Sequence, residues 1–129
     1  VFVRQHAVPM PPIPELKVDP DRIEQVLSNL LANACKFTAP GSDVEVVLLL
    51  EPECLRIEVL DRGPGIPNEL QDKIFEPFYR VPGRSEWQGG TGLGLTLVRS
   101  IARHHNGQAH CEARPDGGAC FVVELPLPT

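Results

Sequence analysis

The sequence predicts an α/β (α+β) fold: a two-layer sandwich in which a mixed β-sheet carries its helices on one face. Three observations lead there. Residues 20–38 and 93–105 repeat apolar side chains at three- and four-residue spacing, the period of an amphipathic helix. Strand-like runs lie around them at 1–6, 44–50, 55–60, 108–113 and 119–125. Helices and strands interleave, yet the last two strands form a hairpin, so parallel and antiparallel neighbours both belong in the sheet.

Residues 1–6 read as a short strand. Pro9, Pro11, Pro12 and Pro14 exclude helix and central strand, so 1–18 form an N-terminal strand and a proline-rich connector. Asp19-Pro20 marks a helix start, with a carboxylate to cap free N–H groups and a proline whose missing N–H costs nothing there. Ile23, Val26, Leu27, Leu30, Leu31 and Ala34 then form one buried stripe, ended by Pro40 and Gly41. The strands 44–50 and 55–60 are joined by four residues in the pattern of an antiparallel hairpin. From 61 to 92 the chain is rich in Gly and Pro, with only short helical stretches around 69–78, and so long a loop in a compact domain is usually functional. Leu93, Leu97, Val98, Ile101, Ala102 and His105 fit a second helix ending near Asn106 and Gly107, the latter suited to a left-handed cap. Two strands then close the chain around Asp116, Gly117 and Gly118.

At 129 residues the chain is one domain, and its 42% hydrophobic and 22% charged residues are those of a globular protein. A net charge of -5 argues against nucleic acid, which is bound through clustered Lys and Arg. No apolar run approaches the roughly 20 residues of a membrane-spanning helix, so no membrane contact by this domain is expected. The chain opens on Val1 without a signal-peptide pattern, as a piece of a longer protein would. Cys35, Cys54, Cys111 and Cys120 show no C-x-x-C spacing and are expected to be reduced, buried thiols of a cytoplasmic protein.

Asn29, Asn33 and Lys36 share a polar stripe on the first helix. The two amide oxygens suit a hard cation such as Mg²⁺ and the ammonium suits phosphate; three polar residues at this spacing equally make a solvated helix flank. Asp61 continues the inward-facing set Leu55, Ile57 and Val59, so its carboxylate points towards the core. There it needs donors, either the amino group of a ligand base such as adenine or its own backbone in a turn. Gly63 and Gly65, followed by Ile66, allow close approach to a flat ligand. Gly89, Gly90, Thr91, Gly92, Leu93 and Gly94 lead into the second helix, where glycine N–H groups and the helix dipole suit phosphate or simply shape a loop. Neither a Walker A loop nor the Rossmann spacing is present.

Taken together, these segments resemble the catalytic domain of bacterial sensor histidine kinases. Residues 29–38 (NLLANACKFT) resemble the N box, 61–66 (DRGPGI) the G1 box, 75–78 (FEPF) the F box and 90–95 (GTGLGL) the G2 box, all in family order. The likeness spans at least 19–126 and includes the closing segment 118–126. It implies the Bergerat sandwich shared with gyrase, heat-shock chaperone and mismatch-repair ATPases, with ATP and Mg²⁺ as cofactors. Asn33 would ligate Mg²⁺, with Asn29 near the phosphates; Lys36 would meet phosphate, Phe37 would lie against the nucleotide, and Asp61 would accept from the adenine amino group. Gly63, Gly65 and Ile66 would line the base, while Gly90, Thr91, Gly92, Leu93 and Gly94 would hold the polyphosphate. Phe75, Phe78 and Arg80 would open an ATP lid over 79–89, from which Arg80 or Arg84 approaches the γ-phosphate and Trp87 reports its motion.

One position separates kinase from hydrolase. The ATPase relatives place a Glu one turn before the metal-binding Asn, where it activates water; this chain has Asn29, and an amide is no general base. The expected chemistry is therefore γ-phosphoryl transfer, with Asn29, Lys36 and Arg80 as catalytic residues and the acceptor histidine on a separate dimerisation domain. A response regulator would act downstream. His6, His104, His105 and His110 lack the helical His-Glu or His-Asp context of an acceptor. An ATP-sensing binding module and an anti-sigma-type serine kinase are the alternatives, and the F box and long lid favour the histidine kinase.

Overall fold

The computed structural model describes residues 2–7, 16–38, 41–79, 81 and 93–128. Five strands form one sheet in the order β1-β2-β3-β5-β4, comprising β1 (Phe2–Ala7), β2 (Asp43–Leu50), β3 (Cys54–Leu60), β4 (Gln108–Ala113) and β5 (Ala119–Pro126). β1 runs parallel to β2 and every other neighbouring pair is antiparallel, which makes the sheet mixed, as expected. Helices α1 (Pro20–Phe37) and α2 (Gly94–His104) pack on each other and on one sheet face.

Register explains the core. Val46 faces Val59 and Leu48 faces Ile57 between β2 and β3; Val59 faces Phe121 and Ile57 faces Val123 between β3 and β5. Period-two alternation sends all of these to the helix side, where Val26, Leu30 and Ala34 of α1 and Val98, Ile101 and Ala102 of α2 meet them. Each fully buried aliphatic side chain contributes about 1.5–3 kcal/mol relative to exposure. Among the described residues the opposite face has no helical layer. There Arg56 holds Glu112 through two 3.0 Å contacts and Glu58 at 2.7 Å, while His110 bonds Glu112 at 2.7 Å. These charged side chains flank the buried Val122 and Cys120 of β5.

The helix signals act as read. Asp19 caps α1 by accepting from the N–H groups of Asp21 and Arg22, and Thr38 ends the helix in extended geometry. Among the described residues between Asp61 and α2, two short 3-10 turns form, Asn68–Leu70 and Lys73–Phe75. Three details differ from expectation. The left-handed residue after α2 is Asn106, at φ 61, not Gly107. Asn106 N–H bonds the Arg103 carbonyl and Gly107 N–H the Ala102 carbonyl at 2.8 Å, a Schellman closure; Gly107 is glycine for space, since a Cβ there would lie 2.0 Å from the Glu124 carbonyl oxygen. Cys35 is exposed and Cys54 half-buried, so only Cys111 and Cys120 are the buried thiols expected, each pushed up to about 12 chiefly by burial. Leu93 precedes α2 and is 39% exposed because it lies outside the helical stripe.

Candidate nucleotide-binding site

Three segments meet at one edge of the sandwich: the last half of α1, the loop leaving β3 and the start of α2. Asn29, Asn33 and Lys36 follow one another at i, i+4 and i+7 along α1 and so share a face. Asn29 Nδ2 reaches the Gly94 carbonyl at 3.5 Å, which ties this face to the first residue of α2. The N-cap residue Leu93 has no side-chain cap hydrogen bond to α2, and the first turn carries no acidic residue. A helix start of this kind has the N–H groups and dipole that suit an anion.

Thr38, buried at the end of α1, accepts from the Arg62 N–H at 3.1 Å and so fixes the loop after β3 to the helix. Asp61 begins this loop and is 3% exposed. Its Oδ1 accepts from the N–H of Gly63 at 3.0 Å and from that of Ala119 at 3.0 Å. Among the described residues Oδ2 has no hydrogen-bond partner. A buried carboxylate oxygen left open is costly unless a donor arrives, so the geometry fits a ligand donor such as an exocyclic amino group. Of the two readings of Asp61 made from sequence, the turn contact is the one seen, on Oδ1. Gly65, at φ +78, brings its backbone against the Gly118 carbonyl, where a Cβ would stand 3.2 Å away. Ile66 packs on the core, and its carbonyl accepts from Gln71 Nε2.

The F-box segment departs from expectation. Phe75 is 3% exposed and belongs to the core: Arg99 of α2 stacks over its ring at 4.1 Å and pairs with Asp72 at 2.8 Å, while Thr96 Oγ1 donates to its carbonyl. Phe75 is therefore anchored in the core. Tyr79 and Val81, expected within the lid, also pack against the core because their apolar surface finds a place there. Phe78 alone of this group is open, 69% exposed with φ 63. The calls on Arg80, Arg84, Trp87, Gly90, Thr91 and Gly92, and on the side chain of Phe37, lie outside the described residues. Sequence reasoning gave no role to Thr38, Arg114 or Ala119, whose contributions arise from contacts across 24 to 58 positions of chain.

None of the histidines described with their side chains stands in an acceptor-like setting. His104 bonds the Ser100 carbonyl through Nδ1. His105 Nε2 accepts from the Asp19 N–H at 3.0 Å, so the proton of the neutral ring is on Nδ1, which bonds the Ile101 carbonyl. His110 belongs to the Glu112 network. Among the described residues Glu51, Cys54 and Glu124 form the one group of His, Cys, Asp and Glu side chains close enough to share a metal ion, and it contains none of the predicted site residues.

Fold and site define a class: a two-layer α+β domain with a polar helix face, a buried Asp and the start of α2 together at one edge. Residues 18–129 match the family described as histidine kinase-, DNA gyrase B- and HSP90-like ATPase, and the chain belongs to this family as a catalytic ATP-binding domain of the sensor histidine kinase type. It is 42% identical over 116 residues to the adaptive-response sensory kinase SasA of Rippkaea orientalis, covering 89% of this chain and 29% of that protein. It is also 42% identical over 125 residues to the probable sensor histidine kinase TcrY of Mycobacterium tuberculosis, covering 95% and 26%. The solved structure of full-length ShkA in complex with AMPPNP superposes with a TM-score of 0.79 at 27% identity, over 99% of this chain and 26% of that one. The chain thus spans less than a third of the curated relatives it matches.

Proposed function

We propose that this domain binds Mg-ATP and passes the γ-phosphoryl group to a histidine on a dimerisation domain of the same kinase, with a cytoplasmic response regulator as the next acceptor. The observation that carries the reading is Asp61: a buried carboxylate with Oδ1 held by two backbone donors and Oδ2 open to a ligand donor. Asn29, Asn33 and Lys36 stand on the helix face next to the start of α2, where they suit the polyphosphate and its cation. When bound through Asn33, Mg²⁺ would supply charge neutralisation on the phosphate oxygens. The α2 start and the glycines before it offer N–H donors to the same oxygens. Arg80 or Arg84 is the cation assigned to the γ-phosphate.

Transfer breaks the bond from the γ-phosphorus to the oxygen it shares with the β-phosphate and forms a phosphorus–nitrogen bond to the imidazole. ADP leaves with the electron pair, and the imidazole proton passes to solvent. Hydrolysis competes poorly, because position 29 holds an amide that donates to the Gly94 carbonyl and offers water no base.

Asp61→Asn replaces the open acceptor with a group that is in part a donor. Calorimetric titration with ATP should show affinity reduced by about 10- to 150-fold, the worth of a hydrogen bond to a charged group at about 1.5–3 kcal/mol. Unchanged ATP affinity in a folded variant would exclude Asp61 as the base acceptor.

A further inference from the structure

The carboxylate of Asp61 is aimed by a part of the chain far from the four sequence boxes. Ala119, the first residue of β5, exchanges two bonds with Asp61: its N–H donates to Oδ1 at 3.0 Å and its carbonyl accepts from the Asp61 N–H at 2.9 Å. The turn before it is held by Arg114, whose N–H bonds the Gly118 carbonyl at 3.3 Å and whose carbonyl accepts from Gly117 at 3.2 Å. The Arg114 side chain, only 11% exposed, turns back and donates through NH1 to the Asp61 main-chain carbonyl at 2.9 Å. That carbonyl lies so close to the turn that a Cβ on Gly118 would stand 2.2 Å from it, and Gly118 has φ +92. Glu45 of β2, at 4.0 Å, and Asp116, at 3.8 Å, flank the guanidinium and keep it over the site.

We propose that Arg114 is a positioning residue for recognition of the nucleotide base: by closing the β4–β5 turn and bonding the Asp61 carbonyl, it fixes the direction in which Asp61 Oδ2 accepts. The inference rests on the reading of Asp61 as the base acceptor. Arg114 contributes to discrimination, not to bulk affinity. Each N–H of a purine amino group donates along a fixed direction, and a site whose carboxylate is turned away keeps its other contacts with the nucleotide while losing the preference for that group. Both main-chain groups of Asp61 are paired to the β4–β5 hairpin, so the hairpin and the carboxylate move together.

The test compares ATP with purine riboside triphosphate, which differs only in lacking the amino group, by calorimetric titration of the unmodified 129-residue chain and its variants. The unmodified chain should prefer ATP by about 10-fold or more, as expected of a site built around one charged hydrogen bond. Arg114→Ala should cut that ratio at least about five-fold by weakening ATP while the analogue binds nearly as before. Glu53→Gln, at the exposed turn between β2 and β3 and so at the other end of β3 from Asp61, should leave the ratio unchanged. If Arg114→Ala does not fold, Arg114→Lys decides: it keeps the charge, loses the planar fork, and should give a reduced ratio at a similar melting temperature. Equal weakening of both nucleotides, or an unchanged ratio in a folded Arg114 variant, overturns the proposal. No preference in the unmodified chain, or none removed by Asp61→Asn, sinks the base reading itself, so the two failures are distinguishable.

Discussion

At Asp61 the two carboxylate oxygens have separate fates, and the difference sets the residue scale of the account. Oδ1 closes a turn onto Gly63 and a bridge to Ala119, while Oδ2 has no hydrogen-bond partner among the described residues. The inward direction of this side chain was legible, because strand alternation from Leu55 fixes it. Its donors were not, since Ala119 lies 58 positions away and nothing local announces the contact. The same holds for Glu112 on the far face of the sheet. The hydrogen bond from His110, with those from Arg56, holds the Glu112 carboxyl below its ordinary value of 4.5. A carboxyl depressed in the folded state contributes stability above its unfolded value and loses it as pH falls through the folded one. Urea unfolding at a series of acidic pH values should therefore show a shallower loss of stability below about pH 4.5 in Glu112→Gln than in the unmodified chain. Parallel acid limbs would remove Glu112 from the cause.

Among the elements, α1 and α2 show how much of the fold local signals carry. The Asp19-Pro20 start, the apolar stripes and the hairpin turns were all readable, because capping and periodicity act within a few residues. What closes α2 was read one residue late. Asn106 tolerates the left-handed conformation, and the packing demand on Gly107 comes from Glu124 on β5, which local sequence does not reveal. The joint between the helices was equally hidden: His105 at the end of α2 accepts from the backbone of Asp19 at the start of α1. That bond ties the start of α1 to the end of α2. His105→Phe keeps an aromatic ring but removes both the Nε2 acceptor and the Nδ1 bond to the Ile101 carbonyl, and should cost about 1–3 kcal/mol, the net worth of two hydrogen bonds. Thermal unfolding would show this as a fall of several degrees. A melting temperature equal to that of the unmodified chain would show that Asp19 N–H gains nothing from the contact.

For the molecule as a whole, the fold class followed from the sequence, whereas strand order did not. Periodicity marks strands without saying which pair, so the parallel partner of β2 and the insertion of β5 between β3 and β4 emerge only from long-range register. That topology places the β4–β5 turn behind Asp61 and the start of α2 beside Asn29, which turns separate motifs into one site. The central claim is that this site delivers phosphate to a histidine on another domain. The direct measurement is incubation of the chain with γ-labelled Mg-ATP, alone and with its histidine-bearing dimerisation domain, followed by acid and alkali treatment of the labelled protein. The account predicts no label on the four histidines of the chain itself, and acid-labile, alkali-stable label on the added domain, formed at least about 10-fold more slowly by Asp61→Asn at limiting ATP. Acid-stable label, label on the chain's own histidines, or steady release of inorganic phosphate with no labelled protein would contradict it.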